Sequence, residues 1–280
     1  ILLYVCLNVF IESFSKHAET GSIRGLFLVL LNLGILVSPL IGGTILSKGS
    51  FEVLYTVSAL MLIPFLFFLK KYFDHIEEPA YHSINMFEAL RNAWRNRNLR
   101  AILVSALVLE CFYAVMIIYS PIYLATLGIP LSVYLSYILP IVIVPLVVLP
   151  YELGVLADKK FGEKEMLIGG LLILAVTVFL CVIVTSPDLR IWIFLLLASR
   201  VGAACVETMA FTYYFKKVGP QDAALTAVFT NTKTVAMILV GATGIVIAPF
   251  LIERPQIMFI ALGCALLWTV SYVLPLKDTR

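Results

Sequence analysis

Charge is scarce in this sequence. Only 13% of its 280 residues are Asp, Glu, Lys or Arg, against about 25% in an ordinary soluble domain. That leaves too little polar surface to cover a water-soluble globule. The net charge of +3 gives no basic footprint for nucleic acid, which is not expected as a partner. Histidine is rare: His17, His75 and His82 fall in predicted loops, with no convergent carboxylate and Ser or Cys. Cys6, Cys111, Cys181, Cys205 and Cys264 all lie in apolar runs and form no CxxC pair. Neither a metal site nor a disulfide framework is expected from them. A Gly-rich phosphate loop ending in Lys and Ser or Thr is also missing. Enzymatic chemistry, a cofactor and ATP-driven work are therefore not expected.

What the chain has in plenty is apolar residues, 61% of the total, gathered in long runs. A bilayer core requires about 20 of them in succession. Nine segments are predicted, at 1–14, 25–46, 53–69, 101–124, 131–153, 166–184, 191–215, 223–252 and 257–274. The first is too short to span, and the others are long enough. All must be helices, because a backbone facing lipid has no other way to pair its polar groups. The predicted fold class is all-α and polytopic. The chain opens on Ile1 with no basic segment before the first run, so it is expected to be a fragment starting inside a helix, not behind a signal peptide.

Alternating loops sort the basic residues sharply. One side receives only Lys48, Arg190 and Arg254, while Arg200 and Lys233 fall within segments. The other basic residues, Lys16, Arg24, Lys159, Lys216 and Lys277 among them, share the opposite side. The positive-inside rule makes that side, and the C-terminus, cytoplasmic. The long loop at 70–100 is expected to contain an amphipathic helix capped by Ser83, with Ile84, Phe87, Leu90 and Trp94 on one face and Arg91, Arg95 and Arg97 between them. Such a helix lies in the membrane interface. Pro140, Pro145 and Pro150 recur in the segment 131–153, and each removes a backbone donor and bends the helix. The bends suit either a cavity-lining, rocking helix or a static kink.

Two motifs stand out. The loop 'GVLADKKFGEK', Gly154 to Lys164, resembles the loop motif of the major facilitator superfamily. Gly154, Leu156, Ala157, Asp158, Lys159, Gly162 and Lys164 stand at matching positions. Its glycines allow a tight turn and close helix approach, and its Asp can bond free amides at a helix N-terminus. The run 'GLFLVLLNLGILVSPLIGG' resembles the fifth-helix pattern of the same superfamily. Arg24 and Gly25 open it, and Gly34, Ser38, Pro39 and Gly42 fill its spacing, with Ser38 in place of a Gly. Small residues let helices approach closely in lipid.

The resemblance implies a major-facilitator-type bundle whose first three helices are missing. The chain then divides into residues 1–69 (helices 4–6 of a first bundle), a cytoplasmic central loop at 70–100, and residues 101–280, a six-helix bundle (helices 7–12). It also implies that helices 7 and 10 line the substrate path, and that Asp158 meets the start of helix 5, near Arg24, favouring an outward-facing state.

Ionisable residues inside a membrane are costly and default to functional candidates. Glu110, Arg200, Glu207 and Lys233 lie within segments. Glu110 or Glu207 is the expected proton carrier, its protonation switched by a moving Arg or Lys. A structural lock of Glu207 with Lys233, or of Glu with Arg, is the competing reading. Tyr113, three residues after Glu110, is a substrate-contact candidate, whereas Tyr119, Tyr213 and Tyr214 read as interfacial anchors. The expected function is secondary transport of a small solute by alternating access, with proton-coupled efflux of amphipathic compounds first. Sugar or metabolite uptake is the alternative, and a receptor or scaffold derived from a transporter is the reading from another class. The expected partners are the substrate, a coupling proton and the lipid bilayer, with the protein a monomer in a cell (inner or plasma) membrane.

Overall fold

In the computed structural model, residues 6–8, 11, 20–48, 50–73, 85–159, 161–219, 221–248, 250 and 254–277 are described. Among them every regular element is a helix. The helices are α1 (Thr20–Lys48), α2 (Phe51–Phe73), α3 (Met86–Arg95), α4 (Arg97–Thr126), α5 (Leu131–Val133), α6 (Leu139–Lys159), α7 (Glu163–Ile183), α8 (Leu189–Lys217), α9 (Ala223–Thr230), α10 (Thr232–Val246) and α11 (Gln256–Val273), with a π-helical turn, Tyr134–Ile138, between α5 and α6.

Among the described residues, seven stretches are long and apolar enough to cross a membrane: Thr20–Ser38, Arg97–Thr126, Leu139–Lys159, Glu163–Ile183, Leu189–Lys217, Ala223–Val246 and Gln256–Val273. The predicted span at 53–69 lies in α2, where the apolar stretch is the shorter Phe51–Phe67. The segment predicted at 1–14 lies largely outside the described residues. Large apolar side chains such as Phe67 (70% exposed), Phe194 (70%) and Ile245 (79%) point outward. Faces of this kind suit contact with lipid, where apolar exposure carries no penalty. The chain is thus a multi-pass integral membrane protein.

Several boundaries differ from those read off hydropathy. Helices start earlier than the apolar runs, because capped polar turns extend them into the loops. Asn96 caps α4, accepting from the amides of Asn98 (3.1 Å) and Leu99 (3.4 Å). The cap of the amphipathic helix is Asn85, which accepts from Phe87 N at 3.3 Å; the predicted cap Ser83 and Ile84 lie outside the described residues. That helix packs through its small residues Ala89 and Ala93, while Phe87, Leu90 and Trp94 stay exposed. The segment predicted as one helix at 223–252 breaks at Asn231. Side chains there bond back onto the preceding turn: Asn231 Nδ2 to Ala227 O at 2.8 Å and Thr232 Oγ1 to Phe229 O at 2.7 Å. Such local bonds compete with the helical ladder.

Two close helix pairs organise the bundle. On α7 and α8, a Cβ on Gly170 would stand 3.0 Å from the Gly202 carbonyl oxygen. On α1 and α6, a Cβ on Gly21 would stand 2.7 Å from the Gly154 oxygen, and one on Gly25 would meet the Pro150 carbonyl. Only glycine permits backbones this close. Gly34, lower on α1, has open space around it and Ser38 is exposed. The fifth-helix pattern therefore packs, among the described residues, only at its Arg24–Gly25 end. The side-chain surroundings of Pro39 and Gly42 lie outside the described residues. Gly162 serves not as a left-handed turn but as the extended N-cap residue of α7, at φ −79°.

Candidate functional site

A cavity of about 730 Å³ opens between α1, α4, α6, α8 and the α9–α10 break. Its walls are largely apolar, from Leu31, Ile35, Leu109, Ile117, Ile143 and Met237. Five ionisable groups also line it: Glu110 and Tyr113 on α4, Arg200 and Glu207 on α8, and Lys233 on α10. These are the five residues singled out on the substrate and proton path. Helical geometry explains the gathering. Glu110 and Tyr113 are one turn apart on α4, and Arg200 and Glu207 two turns apart on α8, so each pair shares a helix face.

Their pairing is sparse. Tyr113 Oη donates to Glu207 Oε2 at 2.9 Å. Arg200, 4% exposed, stands over the rings of Phe112 and Tyr113, with Cζ 5.2 and 5.4 Å from their centroids. Its Nε is buried without a hydrogen-bond partner. No ion pair joins Glu110, Arg200, Glu207 and Lys233, so the inter-helix lock weighed as the competing reading is not formed. The α9–α10 break, which hydropathy did not reveal, brings Thr230, Thr232 and Lys233 to the cavity wall. The polar run Thr230–Asn231–Thr232 was its available signal.

Aromatic rings pack at one end of the cavity. Phe211 and Phe229 line the cavity and pack edge to face, with centroids 5.0 Å apart. Tyr214 stacks on Phe229 at 4.3 Å. Tyr213 and Tyr214 are fully buried rather than interfacial anchors, and their hydroxyls donate to Lys277 O (2.7 Å) and Leu225 O (2.8 Å). Behind the rings Arg24 stands 3.5 Å over Phe215 and donates to Asn8 Oδ1 at 2.8 Å. Arg24 is thus buried inside the bundle, a correction to its reading as a loop charge.

Beyond these rings lies a polar network centred on Asp158. Its carboxylate accepts from the amides of Gly21 (3.3 Å) and Ser22 (2.9 Å) in the first turn of α1, where the helix dipole favours negative charge. Lys216 at the end of α8 reaches both Asp158 (3.0 Å) and Glu163 (2.6 Å). Neither Glu163 nor Lys216 was singled out in the sequence. Glu163 was in plain view inside the loop motif, but Lys216 read only as a basic helix end. Lys159 is exposed and Lys164 half-buried, and neither joins this network. The five cysteines are free, and no cluster of three His, Cys, Asp or Glu is placed to hold a metal among the described residues.

Comparison with known proteins gives three findings. No curated protein sequence matches the chain significantly. The fold is similar to that of a crystal structure of a bacterial homologue of the iron transporter ferroportin in an outward-facing state. That match has 14% identity and a TM-score of 0.76, and covers 94% of this chain but 65% of the other. The chain therefore spans less than two thirds of that protein's length. The family model for the Major Facilitator Superfamily matches residues 2–240, and the chain belongs to that superfamily.

Proposed function

We propose that the chain is the transporting part of a secondary active transporter that works by alternating access. In this reading the cavity carries substrate and proton, and the Asp158 lock holds one gate shut. The solute is an amphipathic compound, exported against an incoming proton. The observation that carries the reading is the meeting of Glu110, Tyr113, Arg200, Glu207 and Lys233 on one otherwise apolar cavity. An apolar wall takes an amphipathic body, and ionisable groups that face a cavity within spanning helices are the usual marks of a substrate or proton path. Glu110 is the proposed proton carrier, because its carboxylate faces the cavity without a hydrogen-bonded partner, while Glu207 is held by Tyr113. The closed gate supports an outward-facing conformation, with Asp158, Lys216 and Glu163 joining α1, α6, α7 and α8.

Proteoliposomes loaded with a pH-sensitive dye test this. A panel of amphipathic solutes is added under an imposed pH gradient. At least one solute should exchange with protons, and Glu110→Gln should abolish the proton signal while solute–solute exchange persists. Unchanged coupling in the Glu110→Gln protein would remove Glu110 from the mechanism.

A further inference from the structure

Arg200 differs from the other cavity charges. A carboxylic acid in an apolar cavity can become neutral by taking a proton, so the unpaired Glu110 is accounted for by proton transport. A guanidinium has no such escape, since it stays charged in any protein environment. Arg200 is 4% exposed, lines the cavity, and rests over two aromatic faces. Its Nε has no hydrogen-bond partner. Neither carboxylate of the cavity is within ion-pair distance of it, and Glu207 is already engaged by the Tyr113 hydroxyl at 2.9 Å. A buried charge left this way is unfavourable until an anion arrives.

We propose that Arg200 is the anion-recognition point of the cavity and that its cargo is an amphipathic organic anion with a planar carboxylate head. This rests on the transport reading above. The fork of a guanidinium matches a carboxylate in two parallel hydrogen bonds. The rings of Phe112 and Tyr113 stand 5.2 and 5.4 Å from the guanidinium carbon. Leu31, Ile35, Leu109 and Ile117 offer an apolar surface to the rest of the ligand. Lys233 adds a second positive charge on the same wall.

The test uses three probes on one phenylbutyl frame, phenylbutyrate, the near-isosteric phenylbutyramide and phenylbutylamine, titrated by calorimetry into the protein in detergent micelles. Phenylbutyrate should bind at least about tenfold more tightly than the amide, the scale of a charge-assisted hydrogen bond. Arg200→Gln should erase that preference while amide binding persists, which also shows that the variant is folded. Arg200→Lys should keep part of it, because a point charge remains without the fork. Equal affinities for acid and amide, a preference for the amine, or a preference that survives Arg200→Gln would each overturn the proposal. Failure here and failure of the transport reading are separable. A protein that moves protons with some solute but shows no carboxylate preference keeps the transport reading and loses this one.

Discussion

Asn32 donates its side-chain amide to the carbonyl of Leu146 at 3.0 Å, and that carbonyl is the one Pro150 deprives of a helical partner. A proline four residues on supplies no N–H, so the oxygen would otherwise be orphaned inside an apolar bundle. The contact joins α1 to α6 at the cavity wall, since Asn32 and Leu146 both line it. It turns a helix defect into an inter-helix bond.

This pairing makes a double-mutant prediction. Asn32→Leu should destabilise the protein by about 1–3 kcal/mol, the penalty of a buried acceptor left unpaired. In a Pro150→Ala background the restored N–H pairs the Leu146 oxygen, so the same substitution should cost much less. Thermal unfolding in detergent for the two singles and the double measures the coupling. Additive effects would show that Asn32 does not answer Pro150.

The proposed Asp158 lock predicts a population shift. Asp158→Asn removes the charge that faces the amides of Gly21 and Ser22 and the ammonium of Lys216. Charge-assisted bonds contribute about 1.5–3 kcal/mol each, so the gate should open roughly tenfold more often. Distances between spin labels on α1 and α6, read by pulsed electron resonance, report that population. An unchanged distance distribution would deny the lock its role.

Close packing at the same proposed gate predicts a steric block. A Cβ at Gly21 would lie 2.7 Å from the Gly154 oxygen and 2.8 Å from the Asp158 carboxylate. The first neighbour is backbone and cannot swing away. Gly21→Val should therefore keep α1 and α6 apart, giving the same label separation as Asp158→Asn with the charges intact. A closed gate in Gly21→Val would show that the pair tolerates a side chain.

Arg24 makes a prediction about geometry rather than charge. Its planar head lies 3.5 Å over Phe215 and bonds Asn8 through Nη1 and Nη2. A lysine keeps the charge but neither stacks nor forks. Arg24→Lys should lower the melting temperature, with a loss of about 1–3 kcal/mol. A melting temperature equal to that of the parent would mean that charge alone is used there.

Much of the architecture was legible because it is local. Runs of apolar residues report spanning helices whatever their neighbours, since the bilayer demands length and internal backbone pairing from each segment separately. The loop motif was legible for the same reason, its residues being contiguous, and so was the membership of Glu110, Arg200 and Glu207 in helices where charge is costly. Where local polarity competes with hydropathy, the reading slipped. The 223–252 run looked continuous until Asn231 and Thr232 turned their side chains onto the backbone, and Asn85 took the cap expected of Ser83.

What only the tertiary structure decided is which groups meet. Tyr113 finds Glu207 across 94 residues of sequence, Asn32 finds Leu146 across 114, and Lys216 finds Asp158 across 58. Arg24 and Lys216 count as loop charges in a tally, yet Arg24 is buried and Lys216 half-buried and paired once α1, α6 and α8 converge. Helix crossing and depth set these contacts. They depend on how glycines such as Gly21, Gly154, Gly170 and Gly202 let backbones close on one another, a relation between elements that no single segment encodes.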